Sequence, residues 1–123
     1  MTVYLTRGEL EIMDIVWDRG QASVQDVCDA LARPLAYTTV MTVLKTLEMK
    51  RQAVRKVKVG RAFVYEACVS REDVCQSILG QLRQQLSSFP VKSVVLNLIE
   101  DDEISTSDLT EIKNAIARLE GRK

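Results

Sequence analysis

The chain has 123 residues, 46% of them hydrophobic, with 17 cations balancing 17 acids to a formal net charge of zero. That content supports one compact domain, or a small domain with an oligomerisation arm, and excludes disorder. No run nears the roughly 18 apolar residues of a membrane helix, and the N-terminus lacks the basic start and apolar centre of a signal peptide, so the expectation is a soluble, cytoplasmic protein without membrane insertion.

Thr6-Arg7-Gly8-Glu9 has the form of a capping box, and Leu10, Ile12, Met13, Val16 and Trp17 then mark a first helix ending near Arg19-Gly20. Ser23-Val24-Gln25-Asp26 repeats the start signal. Val24, Val27, Cys28 and Leu31 give a shorter second helix that stops before Pro34. A third helix starts at about Thr38. Its Val40, Val43, Leu44 and Leu47 share one apolar stripe, while Thr39, Thr42, Lys45, Thr46 and Lys50 face away from it, and Thr38, Thr39, Thr42, Lys45 and Thr46 are the expected major-groove contacts. Threonine is a mediocre helix former, so its concentration on an exposed face needs a reason. Hydroxyls and cations contact phosphates and base edges, and a Thr methyl packs on a thymine methyl. The bland alternative is a core helix that happens to carry threonines.

From Lys45 to Arg61 seven cations meet the single acid Glu48, a local net charge of +6. A solvated surface would mix signs, so the window is an electrostatic footprint for phosphate. Within it the period changes to two. Val57 and Val59 alternate with Lys56 and Lys58, Gly60-Arg61 makes a turn, and Phe63 and Tyr65 alternate on the return. This predicts a β-hairpin with a basic tip carrying Lys56, Lys58 and Arg61. The alternative is a structural sheet edge guarded by lysine. Three short helices followed by such a hairpin make a winged helix-turn-helix.

Ser70 caps a fourth helix with the stripe Val74, Cys75, Ile78, Leu79, Leu82 and Leu86, and Pro90 ends it. A fifth pattern, Val91, Val94, Val95, Leu98 and Ile99, runs into the acidic series Glu100 to Glu103. Ser105 caps a last helix with Leu109, Ile112, Ile116 and Leu119. These helices carry more apolar surface than a thin arm can bury, so the expected outlet is an identical chain, the alternative being that they fold back on the winged helix of their own chain. The expected class is therefore mostly α with a small β-hairpin: a winged-helix DNA-binding domain over residues 1–69 and a helical dimerisation domain over 70–123. Its dimer contacts are expected at Val94, Val95, Leu98, Ile99, Leu109, Ile112 and Ile116.

Catalysis and metal binding find no support. The chain has no histidine, no Gly-rich phosphate loop and no paired nucleophile and base. Cys28, Cys68 and Cys75 lack metal-ligand spacing and are expected to be structural thiols, with a redox switch near Arg71 as the alternative. No enzyme and no cofactor are expected. Two further functions stay open on the residues alone: a protein-interaction module with an acidic partner, and a ligand-sensing regulator. The third helix's exposed face, expected to hold no aromatic residue, weighs against the first, and an aromatic content of 5% against the second.

The chain also resembles the penicillinase-repressor family, winged-helix repressors of the BlaI and MecI type. The matching stretches are Leu5 to Met13 through Val16-Trp17, Ala36 to Leu47, Gly60-Arg61-Ala62-Phe63 with Tyr65, and Ser93 to Leu98. They span nearly the whole chain in the family's order. The resemblance implies a homodimeric transcriptional repressor on double-stranded DNA with a palindromic operator, its third helix in the major groove and its C-terminal helices forming the dimer. It also implies release by a membrane sensor-protease system that cuts some members at an Asn-Phe bond. The matching bond here is Asn97–Leu98, with Leu in place of Phe. Two departures stand out. The family's Gly after the recognition helix is absent from Lys50-Arg51-Gln52-Ala53-Val54, which makes a left-handed cap costlier. No cysteine follows Cys75, so the copper sensing of one family branch is not carried over.

Overall fold

A computed structural model describes residues 3–101 and 104–122, so Asp102 and Glu103 of the expected acidic series lie outside the described residues. Among the described residues the order is α1 (Arg7–Arg19), β1 (Gln21–Ala22), α2 (Val24–Ala30), α3 (Tyr37–Met49), β2 (Val54–Val59), β3 (Ala62–Ala67), α4 (Arg71–Gln85), α5 (Val91–Asp101) and α6 (Thr106–Glu120). The chain divides into two compact units, residues 1–83 and 84–123. The expectation of a mostly helical chain with a winged helix holds.

The first unit is built from elements whose ends are written in the sequence. Thr6 and Glu9 form the reciprocal capping box of α1, with Glu9 N–H donating to Thr6 Oγ1 at 3.2 Å and Thr6 N–H to Glu9 Oε1 at 2.9 Å. Gly20 closes that helix at φ +82°, a conformation other residues rarely adopt. Ser23 and Asp26 repeat the box on α2. The Ser23 backbone N–H holds the Asp26 carboxyl below its ordinary value of 3.8.

The sheet has the order β1-β3-β2, all antiparallel. Val59 pairs with Ala62, leaving Gly60-Arg61 as a two-residue turn with Gly60 at φ +64°. Strand β1 is an addition to the expected hairpin. It joins the loop between α1 and α2 to β3 through Gln21 opposite Glu66 and Ala22 opposite Tyr65. Glu66 ties the three strands together: it accepts from Gln21 Nε2 at 2.9 Å and pairs with Arg55 of β2. Those two donors hold its carboxyl below the ordinary value.

Ile12, Met13, Val16, Val27, Val40, Leu44, Leu47 and Val74 are fully buried at the centre of this unit. Each contributes about 1.5–3 kcal/mol of burial. Val74 belongs to α4, and Ile78 packs beside it, so the opening of α4 completes this core. Val3 N–H donates to Ser77 Oγ at 3.1 Å, and Trp17 Nε1–H to the Val69 carbonyl at 2.9 Å. Arg71 stacks over Trp17 and pairs with Asp18 at 3.0 Å.

In the second unit, α6 starts at Ser105, whose hydroxyl accepts from Asp108 N–H. Its apolar positions are largely uncovered. Of the expected contact residues, Val94, Ile99 and Ile112 are half-buried, while Val95, Leu98, Leu109 and Ile116 are exposed.

Candidate nucleic-acid interface

Helix α3 presents one stripe inward and another to solvent. Val40, Leu44 and Leu47 are buried and Val43 is half-buried, as the sequence period requires. Thr38, Thr39, Thr42 and Lys45 are exposed, and Thr46 is half-buried at the edge of the same face. Two further residues, Met41 and Met49, share this exposed side, and Tyr37 is exposed at the start of the helix, one heptad before buried Leu44. At 3.6 residues per turn, Thr38, Met41, Thr42, Lys45 and Met49 fall within an arc of about 100°. The period that placed the valines inward also places the methionines outward, so their exposure was legible in the sequence.

Two hydroxyls of this face are already engaged. Thr42 Oγ1 donates to the Thr38 carbonyl at 2.9 Å, and Thr46 Oγ1 donates to the Thr42 carbonyl at 3.1 Å. The helix has no side-chain cap at Ala36, so its first backbone N–H groups have no side-chain acceptor there.

At the far end the chain turns without glycine. Gln52 takes φ +53°, the left-handed conformation, while Arg51 N–H reaches the Thr46 carbonyl and Ala53 N–H the Leu47 carbonyl. The join expected to be costly is thus made by a glutamine, and the strain of a non-glycine residue is accepted there.

The seven cations of the basic window divide into two groups. Arg51 turns inward to Glu9, at 3.1 and 3.3 Å from its two carboxylate oxygens. Arg55 turns to Glu66. Both are structural ties. Lys45, Lys50, Lys56, Lys58 and Arg61 are exposed and have no ion-pair partner among the described residues. Lys56 lies over the Phe63 ring at 4.6 Å from its centroid. The register puts Lys56 opposite Tyr65 and Lys58 opposite Phe63. These side chains therefore continue, on one face of the sheet, the row that is buried at Val54 and Tyr65. Burial raises the Tyr65 phenol above its ordinary value of 10.0, and Glu48 and Tyr37 of α3 add to the shift, so this residue stays neutral where the wing meets the helix.

Cys28 packs against the core, whereas Cys68 and Cys75 are exposed, which corrects the expectation of three structural thiols. No group of three metal-ligating side chains occurs among the described residues, and no helix is long and apolar enough to cross a membrane.

Comparison with known proteins converges on one family. The model of that family, described as penicillinase repressor, matches residues 5–118. The penicillinase repressor of Bacillus licheniformis is 25% identical over 97% of this chain and 94% of its own length. The transcriptional regulator BlaI of Mycobacterium tuberculosis is 32% identical over 94% of this chain and 87% of its own length. Among solved structures, a MarR family protein from Bacillus stearothermophilus aligns with a TM-score of 0.50 at 11% identity, over 96% of this chain and 74% of that one, a likeness of fold alone. The named relatives are regulators rather than enzymes.

Proposed function

The chain belongs to the penicillinase repressor family, and from that premise we propose that it represses transcription by binding a palindromic operator as a homodimer. The observation that carries this reading is the exposed face of α3 beside five cations without ion-pair partners among the described residues. Thr38, Thr39, Thr42, Lys45 and Thr46 enter the major groove, and Lys56, Lys58 and Arg61 reach phosphate or the adjoining minor groove. Residues 1–69 carry the DNA-reading surface in this reading, and residues 70–123 the dimerising helices.

Dimerisation is supported by the uncovered apolar residues of the second unit, where Leu98 is 61% and Ile116 51% exposed. An identical chain covers such a face by two-fold pairing, and two linked readers gain roughly 10²–10⁴ in avidity over one. Release by a membrane sensor-protease system at Asn97–Leu98 fits the same logic. That bond lies within α5. Cutting it requires the helix to unwind, and the cut then separates α6 from the preceding helices.

Selection of bound duplexes from a random pool tests the proposal. A palindrome is expected, bound by a dimer, with binding lost in a Thr42→Ala, Lys45→Ala, Thr46→Ala triple variant. Unchanged binding by that variant overturns the assignment of the interface. A chain that stays whole by mass spectrometry while its target genes switch on overturns release by cleavage.

A further inference from the structure

The outward residues of α3 are unusual in what they do not carry. Over its 13 residues the helix has no Arg, Asn, Gln or Asp, and Lys45 is its only cation. The usual bidentate readers of adenine are Asn and Gln, and the acceptor that reads cytosine is Asp or Glu. Glu48 is half-buried just outside the central arc, on the side toward Tyr65. A threonine hydroxyl has one proton, and those of Thr42 and Thr46 are spent on carbonyls four residues back. Such a hydroxyl keeps acceptor capacity and presents its methyl as the remaining contact. Met41 and Met49 add two exposed thioether side chains, 43% and 66% accessible, one turn either side of Lys45. The centre of the face is therefore apolar, with a single ammonium in the middle.

In the major groove the one apolar feature of the four bases is the C5-methyl group of thymine. We infer that the centre of this face reads thymine methyl groups, with Met41, Thr42, Thr46 and Met49 as the contacting side chains and Lys45 as the donor to a neighbouring guanine. The inference rests on the proposed function and names the base chemistry the interface accepts. Met41 to Met49 covers about 12 Å along the helix axis. That is the rise of about three to four base pairs at 3.4 Å each. Each half-site therefore carries its methyl groups in one short cluster, on either side of a base pair that presents guanine to Lys45.

The test uses the full chain and the duplex recovered by selection. Each thymine is replaced singly by deoxyuridine, which removes the methyl and keeps pairing and O4. Affinity is expected to fall about fourfold for each contacted methyl. Thr42→Ser, which deletes the side-chain methyl and keeps the hydroxyl, acts in both subunits of the dimer and is expected to weaken the parent duplex by about fourfold for each half-site. It should show no added loss at one deoxyuridine position, the signature of a direct contact in a double-mutant cycle. If every deoxyuridine duplex binds like its parent while the Thr42, Lys45, Thr46 triple alanine variant still fails, the methyl reading is overturned and the DNA-binding assignment stands. If that triple variant also binds normally, the interface assignment falls and the inference with it.

Discussion

Replacing Arg51 by alanine probes how the reading helix is held. Its guanidinium sits at the C-terminal end of α3 and contacts both oxygens of Glu9 on α1, at 3.1 and 3.3 Å. The Glu9 side chain is 8% exposed and that of Arg51 34%. Loss of Arg51 leaves a nearly buried carboxylate with the Thr6 N–H as its remaining donor. Breaking a buried pair from one side costs about 3–5 kcal/mol, and solvent around the one-third-exposed guanidinium reduces this to about 2–3 kcal/mol. Glu9→Gln is milder, at about 1 kcal/mol, because the amide oxygen still accepts from Thr6 and the freed guanidinium can turn to water. The double variant should show a coupling of about 1–2 kcal/mol. Urea unfolding followed through Trp17 fluorescence, at one fixed protein concentration, measures all three. Arg51 is turned to Glu9, so the salt dependence of DNA binding should keep its slope in Arg51→Ala. Stability changes below about 0.5 kcal/mol that simply add, or a flattened salt slope, refute the assignment of Arg51 as an internal tie.

Three further outcomes follow from features already described. Gln52→Gly should stabilise the chain by up to about 1 kcal/mol, since glycine adopts φ +53° without a Cβ penalty, and its unfolding midpoint should rise at unchanged m-value. Lys58→Ala and Arg61→Ala should weaken binding to all sequences alike and flatten the slope of log K against log salt by about 0.9 for each phosphate left without its cation; a change of sequence preference instead would assign them to base reading. Asp26 titrates below 3.8 in the folded chain, so its stabilisation is complete above that pH and disappears as pH falls through the lower folded value. Asp26→Asn should remove this part of the acid sensitivity, seen as a shallower fall of the thermal midpoint below about pH 4, and an unaltered acid limb counts against the capping role.

Much of this was legible because short-range signals fix it. Both capping boxes, the inward stripe of α3 and the two-residue turn at Gly60-Arg61 depend on residues within four positions of one another. What escaped depends on distant partners. Strand β1 is two residues long and has no period to detect; it exists because Gln21 and Ala22 meet Glu66 and Tyr65, more than 40 positions away. Arg51 and Arg55 count as surface cations in the sequence, and only the fold brings Glu9 and Glu66 to hold them. Composition shows charge but not pairing, and the local excess of +6 overstates what is free for phosphate. The apolar stripe of α4 reads as uniform, yet Val74 and Ile78 serve the first unit while Leu79 and Leu82 stay exposed. The same stripe gives no sign of that division, because burial depends on which neighbour reaches each side.

The part that α4 plays in the first core sets a timetable for synthesis. Val3 is bonded to Ser77, and Val74 fills the centre of a unit whose other buried residues are all made earlier. At about 5–20 residues per second, Ser77 joins the chain some 4–15 s after Val3. For that interval the apolar sides of the first three helices lack their last neighbour, so the nascent chain is then most open to chaperones and proteases. Once α4 has emerged, the first unit has all of its side chains while α5 and α6 are still inside the ribosome. The segments with the most uncovered apolar surface are thus the last to appear, at a time when the first unit can already be folded.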